Sequence, residues 1–184
     1  MRPGVEEAFP VAYYVIVRGP LGAGKTTISD ELAGRIAASH IAIDEILEKY
    51  GLERWDADCI SEGSFLEANV IAAAQAMPDL QRGVPVVIDG NFYWKSAVED
   101  LLRRLPFPHL VLTLKVPLSV CVSRDAMRAP PHGAEAAEEV YAKATSFEYG
   151  IPLDATGSVG KVVGAALTEL RRAGMPGVEV RGKL

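Results

Sequence analysis

The chain has 184 residues, 49% of them apolar and 23% charged, a composition ordinary for a soluble globular protein large enough to bury a real core. Its net charge of −5 argues against a surface built for long duplexes, although a local basic groove could still hold one nucleic-acid end. Cys59 and Cys121 are too few and too unpatterned for a disulfide scaffold or a zinc site, and no stretch reads as a signal or a membrane span, so the cytoplasm is the expected compartment.

In chain order, Ala12 to Arg18 reads as a strand buried on both sides. It runs into Gly19-Pro20-Leu21-Gly22-Ala23-Gly24-Lys25-Thr26-Thr27, a full G-x-x-x-x-G-K-T phosphate loop opening a helix from Lys25 to Ile36. In such a loop the glycines let backbone N–H groups surround phosphates, Lys25 supplies charge and Thr26 offers an oxygen to Mg²⁺. A dinucleotide fingerprint would place glycine at position 27 and has no use for the lysine. Ser39 to Ile43 is a short strand ending at Asp44, followed by a short helix from Glu45 to Lys49.

Glu62 to Met77 reads as a helix, Val84 to Ile88 as a strand ending at Asp89, and Ser96 to Arg104 as a helix. His109 to Val116 is a fourth strand, Ser119 to Met127 and Ala134 to Phe147 are helices, Ile151 to Leu153 is a fifth strand, and Val159 to Arg172 a closing helix. No internal repeat is present. The alternation implies an α/β, three-layer sandwich: a five-stranded parallel sheet with helices on both faces. One domain is expected over residues 1–184, with its core at about 12–172 and a loosely held tail at 174–184. Arg128-Ala129-Pro130-Pro131-His132-Gly133 reads as a mobile loop inside a short helical lid.

Ligands of such sheets gather beyond the carboxyl ends of the strands, where Gly19, Asp44, Asp89 and the turn after Leu153 fall. Asp44 could accept or orient the proton of an acceptor hydroxyl; its plain alternative is a helix cap. Asp89 suits the carboxylate that holds Mg²⁺ through water near Thr26, or an ordinary turn. Asn91 could bond the acceptor, and Phe92, Tyr93 and Trp94 supply either acceptor surface or packing. Arg124 and Arg128, four apart, share a helix face from which guanidinium groups could stabilise transferring phosphate, unless they merely pair with Asp125 and Glu135. Asp154 to Ser158, with Thr156 and Gly157 inside it, is placed to border a purine, with simple helix capping by Ser158 as its alternative. His40, His109, His132, Cys59 and Cys121 read as structural or simply exposed residues.

With these residues placed, the chain resembles the small P-loop kinases of the polynucleotide kinase, zeta-toxin and chloramphenicol phosphotransferase group over about residues 12–172. The resemblance rests on the phosphate loop from Gly19 to Thr27, Asp44, Val87-Ile88-Asp89-Gly90, Val116-Pro117-Leu118 through Arg124-Asp125 and Arg128, and Ile151 to Thr156. It implies that Lys25 and Thr26 handle phosphate and Mg²⁺, that Asp44 is the acceptor-side carboxylate or base, and that Arg124 and Arg128 meet the donor phosphates of ATP. It implies acceptors ranging from nucleic-acid 5′-hydroxyls to antibiotics and other small hydroxyl compounds. From Tyr50 to Pro78, however, Arg54 is the only basic side chain, unlike a groove for polynucleotide phosphates. The expected function is therefore an ATP-dependent, Mg²⁺-assisted kinase acting on a hydroxyl of a small molecule. A 5′-hydroxyl polynucleotide kinase and a nucleotide-gated regulatory NTPase are the alternatives. No membrane partner is expected, and the chain would act as a monomer or a homodimer.

Overall fold

The computed structural model describes residues 12–56, 59–129 and 132–178. Five parallel strands form the main sheet in the order β2-β5-β1-β6-β7: β1 (Tyr14–Arg18), β2 (Ser39–Ala42), β5 (Val86–Gly90), β6 (His109–Lys115) and β7 (Ile151–Asp154). A two-stranded hairpin of β3 (Trp55–Asp56) and β4 (Cys59–Ile60) stands apart from it. The helices are α1 (Lys25–Ile36), α2 (Ile43–Lys49), α3 (Glu62–Gln81), α4 (Lys95–Arg104), α5 (Leu118–Ala126), α6 (Ala134–Ala144) and α7 (Val159–Arg172).

The central strand β1 is buried along its whole length, as its unbroken apolar run requires when both sheet faces are covered. Its side chains alternate between two cores. Tyr14 and Ile16 join Val86 and Ile88 against α3 and α4, which contribute Phe65, Ala68, Ala72, Val98 and Leu101. Tyr13, Val15 and Val17 join Val87, Leu112 and Leu114 against Ile28 and Leu32 of α1 and Val163 and Ala166 of α7. Three layers result, as the alternating pattern implies.

Arg18 breaks the apolar rule at the end of β1 and is fully buried. Its guanidinium donates to the carbonyls of Phe92 (3.4 Å) and Ala144 (2.7 Å) and to Thr113 Oγ1 (3.3 Å), and lies 4.2 Å from the centre of the Phe147 ring. Burial pulls its pKa down to about 10, against the attraction of Glu148, so it keeps its charge at neutral pH. A buried charge is tolerable only when its donors are satisfied. Here they tie the strand before the phosphate loop to the end of α6.

Some boundaries differ from the sequence reading. The helix expected to stop at Met77 continues through Pro78 to Gln81, because buried Leu80 anchors the last turn and Asp79 accepts a 2.5 Å hydrogen bond from Ser39 Oγ. The expected strand from Val84 begins at Val86; Pro85 has no N–H, and its carbonyl instead accepts from Ser39 N (3.0 Å). The helix expected to run to Phe147 ends at Ala144. Among the described residues no helix is long and apolar enough to cross a membrane. Residues 130–131 of the expected lid and 179–184 of the expected tail lie outside the described residues.

Candidate active site

The phosphate loop leaves β1 at Gly19, whose missing side chain lets it sit against β6: an added Cβ would lie 3.1 Å from both the Cβ and the carbonyl oxygen of Leu114. Gly22 adopts φ 78°, and a Cβ there would be 2.3 Å from the carbonyl oxygen of Cys121 on α5. The loop is thus wedged between the sheet and the helix that carries Arg124. Gly22→Ala combines a left-handed φ with a backbone clash, so it is expected to cost about 2 kcal/mol or more of stability. A lowered melting temperature together with weakened ADP binding in a titration checks this; an unchanged variant contradicts it.

Lys25 opens α1 behind Gly24, which holds φ 87° at the N-cap. The lysine is buried, and its Nζ donates to the carbonyl of Pro20 (3.1 Å) and to Asn91 Oδ1 (2.8 Å). Burial pushes its ammonium below the usual lysine range, while Asp44 and Asp89 pull the other way.

Asn91 turns its amide towards Asp44, with Nδ2 at 3.3 and 3.5 Å from the two carboxylate oxygens. One amide therefore bridges the phosphate-loop lysine and the strand-end carboxylate. The chain kinks directly afterwards at Phe92, which has φ 39° and is fully buried beside Phe65. Asp44 is not a helix cap: α2 begins at Ile43 with Ala42 at its N-cap and no side-chain cap, and Asp44 occupies the first turn. Burial raises its carboxyl above the ordinary range, with Asp89 adding to the rise and Lys25 opposing it.

Asp89 is 1% exposed within β5, paired in register with Ala42 of β2. Its Oδ2 meets His40 Nε2 at 3.1 Å, and His40 Nδ1 meets Asp30 Oδ1 at 2.6 Å. Its other oxygen, Oδ1, is buried with no protein partner. The sequence reading took His40 as structural; its place between two carboxylates depends on β2 lying beside β5, which no spacing in the chain reveals.

Arg124 donates to the carbonyls of Ala23 (3.4 Å) and Ala155 (3.1 Å), spanning the phosphate loop and the turn after β7. Neither lid arginine pairs with Asp125. That residue is 1% exposed and accepts from the backbone N–H groups of His132 (3.0 Å) and Gly133 (2.9 Å), with His132 Nδ1 3.0 Å from its other oxygen. Asp125 thereby fixes the entry to α6, and Arg128 is left exposed with His132 Nδ1 3.5 Å away.

Two cavities meet here. One, of about 390 Å³, is lined by Leu21 to Ile28, Asp44, Arg124, Met127, Arg128, Ala155, Gly157, Val159 and Val162. The other, of about 550 Å³, lies between α2, the β3–β4 hairpin and α6, and shares Leu21, Thr26, Thr27, Asp44 and Arg128 with the first. Thr156 departs from its expected position: its hydroxyl and N–H bind Asp154 Oδ1 at 2.6 and 2.9 Å, and it lines a separate depression with Pro20. Ala155 and Gly157 face the phosphate-loop cavity instead. Tyr93 and Trp94 resolve the choice between site and packing in both directions. Their polar tips bind the carbonyl of Ile60 (3.2 and 3.1 Å) and hold the hairpin in place, while Tyr93 also lines the second cavity.

Residues 15–148 match the family of AAA domains designated AAA_33. The chain belongs to that family. Solved structures with the same fold include a sugar kinase from Janibacter sp. HTCC2649, 21% identical, covering 94% of this chain and 100% of that one at a TM-score of 0.71. A gluconokinase from Sinorhizobium meliloti 1021 is 16% identical over 89% of this chain and 93% of its own, with a TM-score of 0.68. The Mycobacterium tuberculosis APS kinase CysC, solved with AMPPNP and APS, is 12% identical over 88% and 99%, with a TM-score of 0.71. At these identities the likeness establishes the fold, that of the P-loop kinases. No curated protein matches the chain.

Proposed function

We propose that this AAA_33 domain is an ATP-dependent kinase that moves the γ-phosphoryl group to a hydroxyl of a small molecule. The observation that carries this reading is the position of Asp44, where the phosphate-loop cavity opens into the second cavity. A triphosphate in the first would present its γ end towards an acceptor in the second, and a carboxylate at the junction can take or orient the acceptor proton. Lys25 and the loop amides would hold the phosphates. Arg124 and Arg128, both lining the first cavity, would spread positive charge over the transferring oxygens. Gly157 with Ala155 would border the base. The resemblance to the polynucleotide kinase, zeta-toxin and chloramphenicol phosphotransferase group points the same way, as do the gluconokinase, sugar kinase and APS kinase that share the fold.

The residues present suit magnesium. Among the described residues no group of three or more His, Cys, Asp or Glu side chains could hold a metal by itself, as expected for an ion whose ligands come mostly from phosphates and water. Thr26 and the unpartnered Oδ1 of Asp89 are the protein groups that would complete the shell. When bound, the ion would neutralise charge on the phosphate oxygens.

His40 then acts by holding Asp89. His40→Ala is expected to raise the Mg²⁺ concentration for half-maximal transfer by about tenfold or more, with metal-free ADP affinity unchanged. His40→Gln, which keeps a donor for Asp89, should recover most of the loss. Equal Mg²⁺ requirements in all three proteins would remove His40 from this role.

Acceptor-dependent ADP formation across a panel of hydroxyl compounds, with the phosphorylated product identified by mass, tests the proposal. Labelled-phosphate transfer to 5′-hydroxyl DNA and RNA oligomers tests the polynucleotide alternative. That alternative is disfavoured because Arg54, the one basic residue of this wall, pairs with exposed Glu67 and does not line the second cavity. ATP hydrolysis indifferent to every acceptor, with no phosphorylated product, would contradict the kinase reading and leave the regulatory NTPase.

A further inference from the structure

The second cavity carries a charge pattern that narrows the acceptor. Besides Asp44, its lining includes Glu45, Glu48 and Glu53, three carboxylates with no side-chain hydrogen bond or ion pair among the described residues. Five glutamates elsewhere are ion-paired: Glu31 with Arg35, Glu67 with Arg54, Glu99 with Lys95, Glu148 with Lys115 and Glu169 with Arg172. Helix α6 closes the cavity with Ala136 and Val140. The lining thus sets four carboxylates, Asp44 among them, against Arg128 and His132, a balance that favours a positively charged guest.

Among the described residues two basic side chains line this cavity, Arg128 and His132. Arg128 lines both cavities and would face the donor phosphates, and His132 is held by buried Asp125 at 3.0 Å. Lys143, behind the wall, is turned onto Cys59 Sγ (2.7 Å) and stands 4.7 Å from the centre of the Trp94 ring. A phosphate, sulfate or carboxylate on the acceptor would meet Glu45, Glu48 and Glu53, away from Arg128 at the junction with the phosphate-loop cavity. A second feature supports the opposite charge. Trp55 is 64% exposed and lines this cavity, and an indole is the best aromatic partner for an ammonium group.

We infer, on the basis of the kinase reading above, that the acceptor is a cationic hydroxyl compound: an amino alcohol or amino sugar. Its hydroxyl lies at Asp44 and its ammonium group lies among Glu48, Glu53 and Trp55. The hydroxyl oxygen attacks the γ-phosphorus of ATP, the bond from that phosphorus to the β–γ bridging oxygen breaks, ADP leaves, and Asp44 takes the hydroxyl proton. The products are ADP and a phosphomonoester that still carries its amine.

Triads of matched carbon skeleton and different charge test this: glucosamine, glucose and glucuronate, and ethanolamine, ethylene glycol and glycolate. With ATP and Mg²⁺ the amine member of a triad is expected to be phosphorylated at least about tenfold more efficiently in kcat/KM than its neutral partner, and the anion least of all. In a Glu48→Gln/Glu53→Gln protein that still melts cooperatively, the KM of the amine member should rise about tenfold and the preference should vanish. A neutral or anionic member used as well as the amine, or a preference that survives both substitutions, overturns the inference and leaves the kinase reading intact. No phosphorylation of any member, by protein that phosphorylates another hydroxyl compound, overturns this inference alone; no phosphorylation of any hydroxyl compound by protein that binds ADP overturns the kinase reading with it.

Discussion

Asp44→Asn is expected to lower phosphoryl transfer by about 10²–10⁴ while leaving the affinity for a nonhydrolysable ATP analogue within a few-fold. The substitution is nearly isosteric, and Asn91 can still reach the new side chain, so the geometry that holds Lys25 should persist. What is lost is the acceptor for the hydroxyl proton. The wild-type carboxyl titrates above its ordinary range because it is buried and stands near Asp89. A general base works only when deprotonated, so kcat/KM should rise with pH through an acid limb displaced upward from the usual carboxylate position. That limb should be absent from the variant's profile. If the Asn protein transfers phosphate at close to the original rate, Asp44 only orients the acceptor.

Lys25→Ala should behave differently. It removes the one buried ammonium at the phosphate loop and strands two groups that it satisfies, the Pro20 carbonyl and Asn91 Oδ1. Both nucleotide binding and transfer should suffer, transfer by about 10²–10³ or more, since an interaction that strengthens on developing phosphate charge is lost. Isothermal titration with ATP analogues beside product-formation rates separates the two variants: one keeps affinity and loses rate, the other loses both. An Ala variant that bound and turned over ATP normally would contradict the assignment of this loop.

The phosphate loop and its strand were legible because local chemistry dictates them: glycines at φ 78° and 87°, a lysine at the helix start, and an apolar run buried on both sides. The five main strands and their flanking helices were legible for the same reason, through periodicity. The hairpin at Trp55–Asp56 and Cys59–Ile60 was not, because two residues per strand leave no period to read, and it is held by Tyr93 and Trp94 from more than thirty positions away. Asp44 and Asp89 could be singled out as strand-end carboxylates. Their partners, Asn91 and His40, come together only through the order of strands in the sheet. Arg124 and Arg128 are four apart, a spacing that puts both on one helix face, but α5 ends at Ala126 and Arg128 lies beyond it; the alternative of pairing with Asp125 fails because Asp125 is buried and caps the turn before α6, a tertiary fact. Thr156 belongs by sequence to the turn after β7 expected to border a purine, but its bonds to Asp154 Oδ1 place it at a separate depression beside Pro20, a local turn that spacing does not reveal.

The fate of the γ-phosphoryl group tests the kinase reading most directly. Following ATP by ³¹P NMR in the presence of Mg²⁺ and an amine-bearing hydroxyl acceptor, the expected result is a new phosphomonoester signal. It should grow at the rate ADP appears in wild-type protein and be nearly abolished in the Asp44→Asn variant. A γ-phosphate that emerges only as inorganic phosphate, at the same rate with and without every acceptor supplied, would contradict it.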